Sequence, residues 1–293
     1  MARADTPGLL PMRALVLAAG CCAAGPVFSE TKELLPLWEV GGGIGYTYLP
    51  DYRGSDEARN YVLPFPLVVY RGDFFKSDRE GVRTLFFDSR YVEIEVSAGA
   101  TVPVSSKKNK AREGMPDLRP TLELGPAVKV HLASIGEQRP GERDLELDFR
   151  VPVRAALTWR DGPRHVGWIA FPSLALDNKI RFAGSRWNLG MLAGGYFADR
   201  RYNDYFYGVA PEFATPERPA FEVRGGFAGW QAIMALSTTY ARRTWVGAFI
   251  KADWLRGATF EDSPLVRQRT NISFGIGVSH IFATSDRQVE AAQ

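Results

Sequence analysis

From Trp38 onward, apolar and polar residues alternate with a period of two far more than with a period near 3.6, which predicts strands rather than helices. The end of the chain is the clearest case. Between Thr270 and Phe282, Ile272, Phe274, Ile276, Val278, His280 and Phe282 share one face, and Ser273, Gly275, Gly277, Ser279 and Ile281 share the other. Trp230, Ala232, Met234, Leu236, Thr238 and Tyr240 line one face of a segment with an aromatic residue at each end. Near the start, Trp38, Val40, Gly42, Ile44, Tyr46 and Tyr48 oppose Glu39, Gly41, Gly43 and Gly45. The same pattern places strands at 61–71, 82–87, 92–99, 122–132, 145–155, 165–176, 187–198, 221–227 and 244–255. That makes about twelve in all, the even count expected of a bacterial outer-membrane barrel. Asp161-Gly162 and Arg242-Arg243 mark tight turns.

Alternation of this kind fits a soluble sandwich as well as a membrane barrel. Three features favour the barrel. The strands are many and even, aromatic residues recur at their ends as in the girdles of a bilayer-crossing strand of about 9–11 residues, and the apolar strand finishing in Phe282 looks like the terminal strand on which outer-membrane barrels are assembled. The expected fold is therefore all-β, a transmembrane antiparallel up-and-down barrel of about twelve strands. Its outward face meets outer-membrane lipid and its inward face lines a lumen.

Composition narrows the field. Of 293 residues, 45% are apolar and 24% charged, too apolar for a disordered chain. The net charge of +3 is dispersed, so the basic face of a nucleic-acid binder is missing. The two cysteines are adjacent, Cys21 and Cys22, and three histidines remain, which gives neither a disulfide framework nor a zinc set. No metal and no cofactor is expected; the loop Pro50–Glu57 has carboxylates, but not at EF-hand spacing. Arg13 precedes an uncharged stretch ending at Phe28, which reads as a cleaved signal peptide over residues 1–30. The barrel then occupies residues 31–282, and residues 283–293 form a short tail.

Inward-facing charges are the first candidate site: Glu93, Glu95, Glu123, Glu146, Asp148, Arg150, Arg154, Glu222 and Arg224, with Lys129, Lys251 and Asp253. Rings of one sign would set the selectivity of a pore. Here the signs are mixed, which favours an internal network in which each charge has a neighbour of opposite sign. The close carboxylate pairs Glu93/Glu95 and Glu146/Asp148 suit acid–base work in principle. However, His131 and His165 have no sequence-local nucleophile, and His280 faces away from Ser279, so no enzyme is expected.

Several stretches resemble the MipA/OmpV (MltA-interacting protein) family of outer-membrane proteins. They are Trp38-Glu-Val-Gly-Gly-Gly-Ile-Gly, Leu49-Pro-Asp-Tyr-Arg-Gly-Ser-Asp56, Gly114-Met-Pro-Asp-Leu118 with Pro120-Thr-Leu-Glu-Leu-Gly-Pro126, Phe197-Ala-Asp-Arg-Arg-Tyr-Asn-Asp-Tyr-Phe-Tyr-Gly-Val209, and Asp262-Ser-Pro-Leu-Val266. They occur in order across nearly the whole mature chain. The resemblance implies a Gram-negative outer-membrane barrel and a non-catalytic scaffold. Such a scaffold brings a lytic transglycosylase and a bifunctional penicillin-binding protein together in murein synthesis. A small-solute diffusion channel is the alternative, and association of several chains is compatible with either. With both termini periplasmic, the strand count puts the loops 105–119 and 200–219 on the periplasmic side. Met115, Asp117, Tyr202, Tyr205, Phe206 and Tyr207 then become candidate partner contacts.

Overall fold

One antiparallel sheet carries nearly every strand of the computed structural model, which describes residues 34–71, 76–78, 81–83, 87–89, 91–139, 142–159, 162–182, 184–240 and 243–290. The expected leader lies outside the described residues. In chain order the strands are β1 (Leu34–Pro36), β2 (Trp38–Pro50), β3 (Ala58–Arg71), β4 (Lys76–Asp78), β5 (Gly81–Arg83), β6 (Phe87–Asp88), β7 (Val92–Ala100) and β8 (Thr121–Arg139). There follow β9 (Glu142–Trp159), β10 (Pro163–Ala170), β11 (Ser173–Phe182), β12 (Ser185–Ala198), β13 (Gly226–Tyr240), β14 (Thr244–Trp254), β15 (Thr270–Thr284) and β16 (Gln288–Glu290). Among the described residues one α-helix, α1 (Arg200–Tyr207), and three short 3-10 turns interrupt them.

Fourteen of the strands form the sheet in the order β5-β4-β3-β2-β15-β14-β13-β12-β10-β9-β8-β7-β6, with β11 also between β12 and β9. β10 and β11 are one crossing broken at Phe171-Pro172, where the proline ring lacks an N–H. β5 and β6 both run back toward the chain termini. The sheet therefore makes twelve passes, and β5 lies against β7, which brings its two ends together. β3 is an edge-like strand. Among the described residues its second flank is paired only at Tyr70 and Arg71. Two prolines, Pro64 and Pro66, fall on that strand, as expected where ladder donors would otherwise stand unpaired.

The alternation along each strand separates outside from inside. In β15, Ile272, Phe274, Ile276, Val278 and Phe282 are exposed, whereas Asn271, Ser273 and Ser279 are buried. β13 exposes Trp230, Met234, Leu236 and Tyr240. The ten steps from Trp230 to Tyr240, at about 3.3 Å each and a tilt near 40°, make an apolar belt about 25 Å tall. Trp230 pairs in register with Trp254 at one rim, and Trp38, Tyr240 and Phe282 stand exposed at the other. An apolar outer band of that height between aromatic rims is the surface of a membrane barrel.

The rims differ. Thr284 pairs with Glu39, and the turns after Arg139, Phe182 and Tyr240 are short, all at the end that holds the termini. The segments 51–57, 101–120, 199–225 and 255–269 all belong to the opposite, distal end. This corrects the expected side of the loops 105–119 and 200–219. β4 is an additional pass after β3, and the expected strand 221–227 does not form: only Phe221 bridges Val209, and β13 begins at Gly226. Within the tail, β16 pairs antiparallel with β1.

Candidate functional site: a lumen capped at one end

Opposite charges meet across neighbouring strands on the inner wall. Register places Glu93 of β7 beside Lys129 of β8, and Lys129 beside Arg150 of β9. Lys129 Nζ lies 3.2 Å from Glu93 Oε2 and 3.6 Å from Asp148 Oδ2. His131 Nδ1 is 2.8 Å from Asp148 Oδ1, and its Nε2 is 3.9 Å from Glu93. Arg150 pairs with Glu95, and Arg154 Nη1 donates to Glu123 Oε2 at 3.2 Å. Glu93, Glu95, Glu123 and Asp148 thus each have a cation against them, and among the described residues opposite signs alternate along this wall. The His131–Asp148 contact resembles half of a catalytic triad, but the ring's other neighbour is a second carboxylate instead of a nucleophile. Glu146 shares the inner face and is half-buried, opposite Asp177. Glu222 and Arg224 are not lumen residues. They precede β13, and the exposed Glu222 pairs at 3.4 Å with the exposed Arg200.

The distal segments fold inward over this wall. Helix α1 begins where the Asp199 side chain accepts the Tyr202 N–H at 2.8 Å, an N-cap that satisfies one of the first-turn donors. Its spacing puts Tyr202, Asn203, Phe206 and Tyr207 on one buried face. The Tyr202 hydroxyl donates to Glu123 Oε1 at 2.9 Å, tying the helix to the wall. Tyr207 stacks on Phe260 with ring centroids 3.6 Å apart, and its hydroxyl donates to the Arg53 carbonyl. Tyr52, Val104, Leu118, Tyr196, Val209, Leu255, Phe260 and Leu265 complete an apolar core that closes the distal mouth.

Polar contacts lock the segments to each other. Arg53 Nε donates to Asp253 Oδ1 at 2.9 Å, and the guanidinium lies 4.4 Å above the Tyr196 ring. Asn271 accepts the Gly54 N–H at 2.6 Å and donates to the Ser55 carbonyl. Gly54 sits at φ +95°, with the Leu255 side chain against it, so no other residue fits that turn without strain. Asn109 donates to Asp51 and Ser55. Arg218 donates to the carbonyls of Ala111, Glu113 and Phe213, and Arg112 to those of Phe206 and Pro116. Toward the terminal end the inner wall is wet, since Asp177 and Lys179 there are exposed. The inner wall is thus accessible toward the termini and covered by packed side chains distally.

The aromatic residues expected at a partner surface therefore lie inside the cap. Tyr202, Phe206 and Tyr207 are buried, and Tyr205 and Met115 pack at its margin. The Tyr205 hydroxyl exchanges hydrogen bonds with the Arg119 main chain, and Asp117 accepts the Ser106 N–H at 2.6 Å. Of the residues that most tightly join the cap, Asn109, Arg112 and Arg218 carry no sequence signal beyond being charged or polar in loops, and Arg53 stands only within the Leu49–Asp56 stretch that carries the family resemblance. Among the described residues no group of three His, Cys, Asp or Glu is placed to hold a metal ion.

Burial pushes the hydroxyls of Tyr52, Tyr202 and Tyr207 above the ordinary tyrosine value. A group whose pKa is raised by folding adds stability below its unfolded pKa, near 10, and loses it as pH climbs toward the folded value. The cap is thus expected to weaken above about pH 10, by up to tenfold per pH unit for each of these tyrosines. Absorbance titration checks this. Exposed tyrosines should ionise first, and the capped ones later, in one step with loss of the cap. A single smooth wave for all 11 tyrosines would show that the cap imposes no such constraint.

The family model for MltA-interacting protein MipA matches residues 42–282. No match was found among the curated proteins. Among solved structures, an outer membrane channel from Pseudomonas putida F1 is 11% identical with a TM-score of 0.41, covering 87% of this chain and 100% of its own. The P. putida toluene transporter TodX is 12% identical with a TM-score of 0.27, covering 86% and 68%. A porin is 10% identical with a TM-score of 0.24, covering 84% and 100%.

Proposed function

Because the chain belongs to the MltA-interacting protein MipA family and is an outer-membrane β-barrel, we propose that it is a non-catalytic adaptor for periplasmic enzymes of murein synthesis and hydrolysis. One observation carries this reading over a diffusion channel: the distal mouth is closed by a packed, ion-paired cap, so the lumen is a blind vestibule. Short turns mark the periplasmic rim of such barrels and long loops the outer one. On that rule the termini, the β1–β16 ribbon and the wet end of the vestibule face the periplasm. The partner surface is then the terminal rim and not the aromatic loops.

Tethering an enzyme to that rim replaces encounter in free solution by a high effective concentration at the membrane, with no change to the enzyme's own chemistry. The test is capture by the purified barrel of a lytic transglycosylase and a bifunctional penicillin-binding protein. Both are expected to be enriched over an unrelated barrel. Removing residues 285–293 should weaken capture, and substitutions in α1 should not. Steady ion conductance in planar bilayers, with no enrichment of either enzyme, would instead support the channel.

A further inference from the structure

At the distal aromatic rim two arginines are held in place by neutral groups. Trp159 ends β9, and Trp168 of β10 stands in register with Ala155. Both tryptophans are about half exposed, on the outward face that also carries Leu122, Leu124 and Val153. His165, in register with Leu157, shares that face, and its ring meets Trp168 edge to face with centroids 5.5 Å apart. Arg201 of α1 reaches the same histidine: its Nη1 lies 3.4 Å from His165 Nδ1. Tyr205, one turn further along α1, exchanges hydrogen bonds with the Arg119 main chain, and Arg119 Nη1 donates to the Trp159 carbonyl at 3.1 Å. These contacts join Arg119, Arg201, His165 and Trp159 in one patch.

Both arginines are exposed, and no carboxylate of the described residues lies within 4.0 Å of either guanidinium. Arg200, next to Arg201, differs in being paired with Glu222. Asp204, the acidic residue of α1, turns its carboxylate to Gly208. A guanidinium held by neutral groups keeps its charge, and most of its N–H donors remain for an anion from outside. Girdle tryptophans sit at the level of lipid headgroups, so the anion is met at that depth. Arginine binds phosphate there through two parallel N–H···O bonds. On the sidedness argued above, the distal rim lies in the outer leaflet of an outer membrane, whose lipid is an acylated sugar bearing phosphates. We propose that Arg119 and Arg201 bind a phosphate of one such glycolipid, with its acyl chains against Trp159, Trp168 and Leu122. This goes beyond the adaptor reading, shares only its sidedness, and is tested without any murein enzyme.

The test uses the full barrel, stripped of lipid in detergent and then offered lipid A or the same acylated disaccharide with its phosphates removed. Glycolipid retained after detergent exchange is counted by native mass spectrometry, with and without inorganic phosphate as competitor. The wild-type barrel should keep lipid A about tenfold better than the dephosphorylated form. Arg119→Gln combined with Arg201→Gln should lower retention of lipid A about tenfold and leave that of the dephosphorylated form as it is. Arg119→Gln keeps the main-chain bonds to Tyr205, so the cap stays seated. A heat-dependent gel shift certifies a folded barrel. Equal retention of lipid A by the folded double variant overturns the proposal. So does equal retention of both glycolipids by the wild type, which would assign the rim to acyl packing alone. Full displacement of lipid A by inorganic phosphate at equal concentration also overturns it, since the patch would then be a site for a soluble anion.

Discussion

Asp253→Ala is expected to unseat the cap, at a cost of about 3–5 kcal/mol, while leaving the barrel assembled. Asp253 is fully buried on the inner face of β14. It accepts from Arg53 at 2.9 Å and from Gln231 at 2.8 Å, with Lys251 at 3.4 Å. Without the carboxylate, the Arg53 guanidinium keeps only its place above the Tyr196 ring, an interaction worth far less than its lost hydration. The least costly response is for the 51–57 segment to lift. With it go the Tyr207 bond to the Arg53 carbonyl and the Asn109 bonds to Asp51 and Ser55. The ladder of β14 with β13 and β15 is made by main-chain groups and survives. Two measurements check this: trypsin cleavage at Arg53 and Arg112, and conductance in bilayers. Both should rise sharply in the variant, while heat-dependent gel mobility stays unchanged. Arg53→Leu combined with Asp253→Leu should recover much of the closure, because no isolated charge is then left buried. A closed, protease-resistant Asp253→Ala barrel would mean that the pair does not hold the cap.

The sheet was legible in the sequence because a period of two is a local signal that a barrel wall preserves. Ile272 to Phe282 alternate on paper as they do in space, and His280 stands with them on the lipid side. Sidedness was not legible, for two opposite reasons. Lys76–Asp78 is three residues long, too short for any period to show. Phe221, Val223, Gly225 and Phe227 alternate, yet what buries Val223 is the core of the cap and not a sheet. One strand missed and one strand added leave the count at twelve and reverse every loop between them. The cap was hidden because its contacts join segments far apart in the chain, such as Tyr52 with Leu265 or Arg112 with Phe206. Tyrosines and phenylalanines at helical spacing look alike whether they await a partner or have already found one. A buried arginine that serves loop carbonyls, as Arg218 does, looks like any surface arginine in the sequence.

Phe260→Ala tests whether the cap acts as one unit. Phe260 is fully buried and lies nearly parallel to Tyr207, the two rings 3.6 Å apart and inclined by 7°. Removing a buried phenylalanine costs about 3–5 kcal/mol, of which the ring pair accounts for about 1. The residue sits on the 255–269 segment and its stacking partner on α1, so the loss falls on both. Hydrogen exchange should therefore accelerate together at amides of 199–225 and 255–269, with β13 and β14 unchanged. Tyr207→Phe keeps the stack and removes only the bond to Arg53, so its effect should be about 1 kcal/mol. Phe282→Ala, on the lipid face, should leave exchange in the cap as it is. If the Phe260 variant loosens its own segment alone, the four distal segments are separate covers and not a cooperative lid. The same variant also separates the two ends of the molecule: an opened cap with undiminished capture of murein enzymes places their contact at the terminal rim, whereas lost capture returns it to the distal loops.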